Sequence, residues 1–274
     1  MSDPQVEASM LHIQSVQNST IKEVVKLRTR RGRKVQGRII IDGVRETQRA
    51  FAAGLEIIDL YLPESLLEEP GSDPELITLL QAGLPLTTVS DTVLQKIAYG
   101  DRTGSVVAVA RTPHLAMEAY EPPEHPLVMV LEAVEKPGNI GAVARTADAA
   151  GFDALILADP ITDAYNPNAI RSSLGALFNL AVVTGDNGQV LAWLRSHQFQ
   201  ILAARVDATA AYHQQDYTRS TAMVVGNEAD GLSEAWHAED IFPIRLPMHG
   251  ISDSLNVSTS AAILMYEARR QRDC

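Results

Sequence analysis

Four runs in the second half of the chain limit what it can become: 127–131 (Leu-Val-Met-Val-Leu), 154–157 (Ala-Leu-Ile-Leu), 201–204 (Ile-Leu-Ala-Ala) and 222–225 (Ala-Met-Val-Val) are apolar at every position. A strand with one wet face alternates apolar and polar residues, so a run apolar at odd and even positions alike is buried on both faces. Stretches with helical periodicity at 139–150, 168–177 and 187–197 lie between or beside these runs. Strands separated by helices, and covered by them on both sides, predict a mostly parallel, doubly wound α/β sheet.

The first 112 residues read differently. Here the elements are shorter. The spacing of Ile21, Val24, Val25 and Leu27 predicts an amphipathic helix over 20–34, followed by a strand over 38–41 and a helix from Gly43 to Ala53. Strands at 57–62, 85–89 and 106–110 then alternate with helices at 74–82 and 91–98, the last capped by Asp91. Pro113, Pro122, Pro123 and Pro126 mark a linker. The expected organisation is a small α/β domain over 1–112, a proline-rich linker over 113–126 and the doubly wound domain over 127–274. No apolar run approaches the ~20 residues of a membrane helix, and the start of the chain is polar and acidic, so a cytoplasmic protein is expected. The single cysteine, Cys274, leaves no internal disulfide, no cysteine zinc cluster and no cysteine nucleophile to consider. His249 has no second histidine at ligand spacing, so no metal site is expected.

Net charge is unevenly distributed. The whole chain carries −11, yet residues 1–50 hold ten Lys and Arg against five acids, leaving the remainder at −16. The cluster Arg28, Arg30, Arg31, Arg33 and Lys34 fits either a solvated helix face or a surface that touches phosphates.

A doubly wound sheet offers a ligand site where its strands end, but neither usual phosphate loop is present: GxGxxG and GxxxxGK[ST] are both missing. Glycines gather instead in three other loops. The first is 137–141 (Pro-Gly-Asn-Ile-Gly), where Asn139 reads as the cap of a helix whose buried stripe is Ile140, Val143, Ala144 and Ala147, leaving Arg145 to face away. The second is 226–231 (Gly-Asn-Glu-Ala-Asp-Gly), directly after an apolar strand. The third runs from Leu246 through Met248 and Gly250 to Ser254, Leu255 and Asn256, ahead of a last helix with Val257, Ala261, Leu264 and Ala268 on its core side.

Taken in order, these three stretches resemble the signature motifs of the SpoU (TrmH-like) RNA 2′-O-ribose methyltransferases of the SPOUT superfamily. The segment 170–178 resembles a linking segment of that family, and residues 18–46 are similar to the L30e-like substrate-binding domain often fused in front of it. The resemblance spans roughly 250 residues. It implies a C-terminal domain with a deep trefoil knot, S-adenosylmethionine as cofactor, RNA as substrate, with ribosomal RNA ahead of tRNA, and a homodimer. By position it assigns the cofactor to Gly226, Asn227, Leu246, Met248 and Leu255, largely through main-chain groups. It assigns catalysis to Asn139, Arg145, Glu228, Ser254 and Asn256, and RNA contact to the basic cluster Arg28, Arg30, Arg31, Arg33 and Lys34. A guanidinium has no acceptor and stays protonated, so Arg145 suits a phosphate clamp better than a base. Two departures are visible: Glu135-Lys136 stands ahead of Pro137 where relatives often carry an acid, and Ala229 where glycine is frequent.

Two rivals can be weighed on residues alone. The stretch 250–254 (Gly-Ile-Ser-Asp-Ser) is one residue short of a GxSxG nucleophile elbow, but no histidine follows it to complete a triad. A non-catalytic RNA-binding protein that keeps the fold is the other, and the intact set Asn139, Arg145, Glu228, Ser254 and Asn256 argues against it.

Overall fold

The structure is a computed structural model that describes residues 11–69, 71–98, 106–227 and 229–273. The chain divides into two compact units, Met1–Pro113 with Tyr165–Pro167, and His114–Ala164 with Asn168–Cys274.

The first unit contains β1 (His12–Ile13), α1 (Ser19–Lys26), α2 (Arg30–Gln36), β2 (Arg38–Asp42), α3 (Val44–Ala52), β3 (Ile57–Pro63), α4 (Glu64–Glu68), α5 (Pro74–Gln81), β4 (Leu86–Val89), α6 (Asp91–Ile97) and β5 (Val107–Arg111). Its sheet runs β1-β4-β3-β5-β2, with β5 antiparallel to both neighbours and the other pairs parallel. Ile21, Val24 and Leu27 pack with Ile40, Val93, Leu94, Ile97 and Val109 in one core.

The single helix expected over 20–34 is broken in two. Thr29 Oγ1 donates to the Lys26 carbonyl at 2.9 Å and accepts from Gly32 N at 3.0 Å, so one side chain closes α1 and caps α2. The cap of α6 is Ser90 rather than Asp91, which occupies the first helical position.

The second unit contains β6 (Leu127–Glu132), α7 (Pro137–Ala149), β7 (Ala154–Ala158), α8 (Pro167–Ser172), β8 (Ala181–Gly185), α9 (Asn187–Ser196), β9 (Gln200–Ala204), β10 (Thr221–Val225), β11 (Ile241–Ile244) and α10 (Val257–Arg272). All six strands are parallel, in the order β11-β9-β10-β6-β7-β8. Every residue of β6, β7 and β10 is buried, as the apolar runs predict. β8 and β11 are the two edges and escape that pattern. β8 carries an exposed Thr184, and β11 is Ile-Phe-Pro-Ile with Phe242 and Pro243 exposed, a position where a missing N–H costs no ladder bond.

One face of the sheet packs on α9, with Val190, Leu191, Trp193 and Leu194 against Val128, Val130, Ile156 and Val224. Met117 and Tyr120, from the proline-rich stretch, are buried in this same core, and the Tyr120 ring stacks on Trp193 at 5.6 Å, so this stretch is more than a tether. α7 and α10 pack against each other on the opposite face. α10 is fastened at its far end: Arg269 donates to the Ala150 and Gly151 carbonyls, and Arg272 to those of His125, Tyr217 and Arg219. Among the described residues, no helix is long and apolar enough to cross a membrane.

Candidate cofactor pocket and basic face

Three loops of the second unit close around one cavity of about 340 Å³ at the carboxyl ends of β9 and β10. In an open parallel sheet this is where strand order makes room for a ligand. Gly226, Asn227, Leu246, Met248 and Leu255 all line it, as does Ser254. Val206, Val225 and Val257 add apolar wall; Arg205, Asp230, Asp253 and Ser260 add polar groups. A bidentate pair at 2.6 and 3.0 Å holds Arg205 against Asp207, whose carboxyl is thereby kept below its ordinary pKa.

The loop after β10 owes its shape to its own backbone. Asn227 and Gly231 exchange two main-chain hydrogen bonds of 3.0 Å, folding 226–231 back on itself. A Cβ at Gly226 would sit 2.2 Å from the Gly231 carbonyl oxygen and 2.6 Å from Leu232 N, so only glycine fits there. The Asn227 carboxamide is spent on protein: its Oδ1 accepts from Ala229 N at 2.7 Å and its Nδ2 donates to the Ala133 carbonyl at 3.0 Å. Its contribution to the cavity is therefore its backbone and position. Glu228 lies outside the described residues.

Asn139 and Arg145 sit on α7 and do not line the cavity. Asn139 is not the helix cap. Pro137, with φ already preset for a helix, starts α7 two residues earlier, and Lys136 takes the cap position. Arg145 is exposed, opposite the buried Ile140, Val143, Ala144 and Ala147, and has no hydrogen bond or ion pair among the described residues. α7 can lie close on the segment after it in space because residue 141 is glycine, where a Cβ would fall 2.2 Å from the Ala169 carbonyl oxygen. Asn256 caps α10, accepting from Ser258 N at 2.9 Å, and donates to Asn139 Oδ1 at 3.4 Å. Motif one and motif three thus meet through two carboxamides.

The basic cluster of the first unit separates into two groups. Arg30, Arg31 and Lys34 are exposed on α2. Arg33 was expected beside them on the RNA-facing surface but is only 4% exposed, its guanidinium donating to the Leu27 carbonyl at 2.8 Å. Arg28 is half-buried and donates to the Ala98 carbonyl. These two arginines satisfy carbonyls left open at helix ends, which removes them from the surface a partner would meet. Nearby, Lys22, Lys26 and Lys96 line a shallow cleft with Val16, Ser19, Val25 and Glu23, whose carboxylate pairs with the Lys26 ammonium at 2.6 Å. The helical pattern alone did not single these lysines out.

Sequence reasoning also passed over Glu132, the buried last residue of β6, whose carboxylate accepts from Ser233 and Asn187. A lone acid closing an apolar run reads simply as the end of a strand. Among the described residues, no group of His, Cys, Asp and Glu could hold a metal ion.

Comparison with known proteins gives concordant matches over both units. Residues 126–266 match the SpoU rRNA Methylase family, and residues 18–108 match an MRM3-like substrate binding domain. The 23S rRNA (guanosine(2553)-2′-O)-methyltransferase RlmP of Bacillus subtilis is 29% identical over 265 residues, covering 95% of this chain and 100% of that protein. A solved RNA 2′-O ribose methyltransferase is 39% identical with a TM-score of 0.83, covering 96% of this chain and 100% of its own. The SpoU methyltransferase AviRb from Streptomyces viridochromogenes, solved in complex with AdoMet, is 27% identical with a TM-score of 0.85, covering 93% and 98%. On the family match across the second unit and these full-length likenesses, the chain belongs to the SpoU rRNA methylase family.

Proposed function

We propose that this protein transfers a methyl group from S-adenosylmethionine to a ribose 2′-hydroxyl of ribosomal RNA. The observation that carries this reading is one cavity shared by three loops: Val206 after β9, Gly226 after β10, and Leu246 with Leu255 between β11 and α10. Its volume of about 340 Å³ falls in the ~300–1,000 Å³ range of small-molecule sites, and its wall of Val206, Val225, Leu246, Met248 and Leu255 interrupted by loop backbone suits a flat heteroaromatic ring read by main-chain donors and acceptors. The AdoMet complex of AviRb and the ribosomal RNA named as substrate of RlmP support the same choice of cofactor and RNA.

Bound in this cavity, the sulfonium cofactor supplies an electrophilic methyl group. The chain's task is to hold the ribose oxygen in line and keep water out. Arg145, permanently charged and with no acceptor atom, grips the phosphate beside the reacting ribose with its planar fork. An oxygen of that phosphate accepts the proton leaving the hydroxyl. Asn256, fixed as the cap of α10, holds Asn139 in place, while Ser254 faces the cavity; Glu228 keeps the catalytic role that the family resemblance gives it. The exposed Arg30, Arg31 and Lys34, joined by Lys22, Lys26 and Lys96, hold the RNA by its backbone.

The segment from Thr221 onward is threaded as a trefoil knot, consistent with a sheet in which β9 and β10 lie inside the later β11. The working form is a homodimer in the cytoplasm, supported by an Arg145 that turns away from its own core. Incubating the purified protein with labelled S-adenosylmethionine and with ribosomal RNA or tRNA tests the reading. Label mapping to one 2′-O-methylated ribosomal nucleotide is the expected result; cofactor-free RNA binding with no transfer to either RNA would establish the scaffold role instead.

A further inference from the structure

We infer that Glu132 is a positioning residue for methyl transfer: with Asn227 it latches the cofactor loop to the strand end that leads into the Arg145 helix. The inference rests on the cavity being the cofactor site.

The latch begins with a group that can only donate. Trp236, fully buried, gives its indole N–H to Asn187 Oδ1 at 3.0 Å, which fixes the orientation of that carboxamide. Asn187 Nδ2 then has to donate, and does so to Glu132 Oε1 at 2.6 Å. The Ser233 hydroxyl donates to the same oxygen, and Ser233 N to Glu132 Oε2 at 2.9 Å. Three donors thus converge on one buried side chain, and only a carboxylate accepts from all of them. A glutamine would turn an NH₂ toward a donor. Asn187 cannot flip to compensate without stranding the Trp236 N–H.

Ser233 ends the loop that starts at Gly226. The other end is held as well, because Asn227 Nδ2 donates to the Ala133 carbonyl. Ala133 adopts φ 50°, a left-handed conformation that an alanine keeps only when its surroundings hold it. Its N–H donates to the Ala158 carbonyl at 3.0 Å while its carbonyl takes Asn227, so both of its polar groups are engaged. The loop lining the cavity is therefore fixed at both ends to residues 132–133, and α7 starts four residues farther on at Pro137. Tilting that loop moves the cofactor's wall and the root of the Arg145 helix together.

The test uses the full chain and S-adenosylhomocysteine as the probe. In Glu132→Gln, calorimetry should show roughly tenfold weaker binding, and kcat at saturating cofactor should fall by a similar factor. Leu194→Ala, in the same core but outside the latch, serves as the control for lost stability and should keep wild-type affinity. Should Glu132→Gln fail to fold, Ser233→Ala removes one donor only and should weaken binding about threefold. The latch is overturned if affinity and kcat simply track melting temperature across all three variants, or if Glu132→Gln and Ser233→Ala bind like wild type. Failure of the wild-type protein to bind the probe would instead overturn the cofactor reading, and the latch with it.

Discussion

In the first unit the groups proposed to meet RNA are long cationic side chains on the surface of α1, α2 and α6; in the second the proposed cofactor site is loop backbone and apolar side chains lining a cavity. The two arrangements answer different demands. A duplex or looped RNA presents phosphates over a wide area, and mobile charges meet them without exact placement. Methyl transfer needs atoms aligned to within fractions of an ångström, which a rigid sheet and self-bonded loops supply. Substitutions should accordingly grade smoothly in the first unit and act more steeply in the second.

The largest effect should come from Arg145. Arg145→Ala is expected to lower single-turnover methylation by at least ~100-fold, leave S-adenosylhomocysteine affinity near wild type and change stability by less than ~0.5 kcal/mol, as befits an exposed residue. Arg145→Lys should be nearly as slow, because the charge survives and the fork does not. A near-normal rate for the lysine variant, or one climbing steeply with pH, would contradict the clamp.

Next comes Gly226→Ala, which places a methyl group 2.2 Å from the Gly231 oxygen. Expected are a loss of probe affinity of ~10-fold or more and a stability cost of about 1–3 kcal/mol. Unchanged affinity would mean that the loop can give way, and the proposed contrast in rigidity would fail.

A third experiment sets arginine against arginine. Arg33→Ala should cost about 1–3 kcal/mol on chemical denaturation by unpairing a buried carbonyl, while the salt dependence of RNA binding stays as in wild type. Replacing Arg30, Arg31 and Lys34 together should do the reverse, flattening the salt slope by ~0.7 for each lost contact to single-stranded RNA. If Arg33→Ala altered the slope and the triple variant did not, the division of the basic cluster would be inverted.

The smallest shift belongs to Ala133→Gly, which relieves the left-handed backbone. Melting should rise slightly, corresponding to less than ~1 kcal/mol. A clear fall would show that φ 50° carries no strain in this setting.

The same contrast explains how much of the fold is legible in the sequence. Burial on both faces writes an unbroken apolar run into the sequence, so β6, β7, β9 and β10 are legible and the edge strands β8 and β11, half wet, are not. The cavity loops are visible through their glycines, although the reason for Gly226 is the loop's own backbone, which spacing does not reveal. Charge is less informative. Arg33 and Lys34 are neighbours in sequence and carry the same charge, one buried and one exposed, and charge alone does not tell the one that satisfies a carbonyl from the one left facing solvent. Glu132 was illegible because its partners Asn187 and Ser233 lie 55 and 101 residues away.

The placement of Trp236 also gives the molecule an optical property. Of the two tryptophans in the chain, Trp193 packs among Tyr120, His197 and Phe199 and is not part of the cavity lining, whereas Trp236 hangs from the hydrogen-bond chain that ends at Ser233, where the loop after β10 closes. An indole's emission colour and lifetime depend on what its N–H meets. The protein thus carries its own fluorophore at the point where occupancy of the cavity would be felt, and a Trp193→Phe background would leave that signal to be followed without a dye.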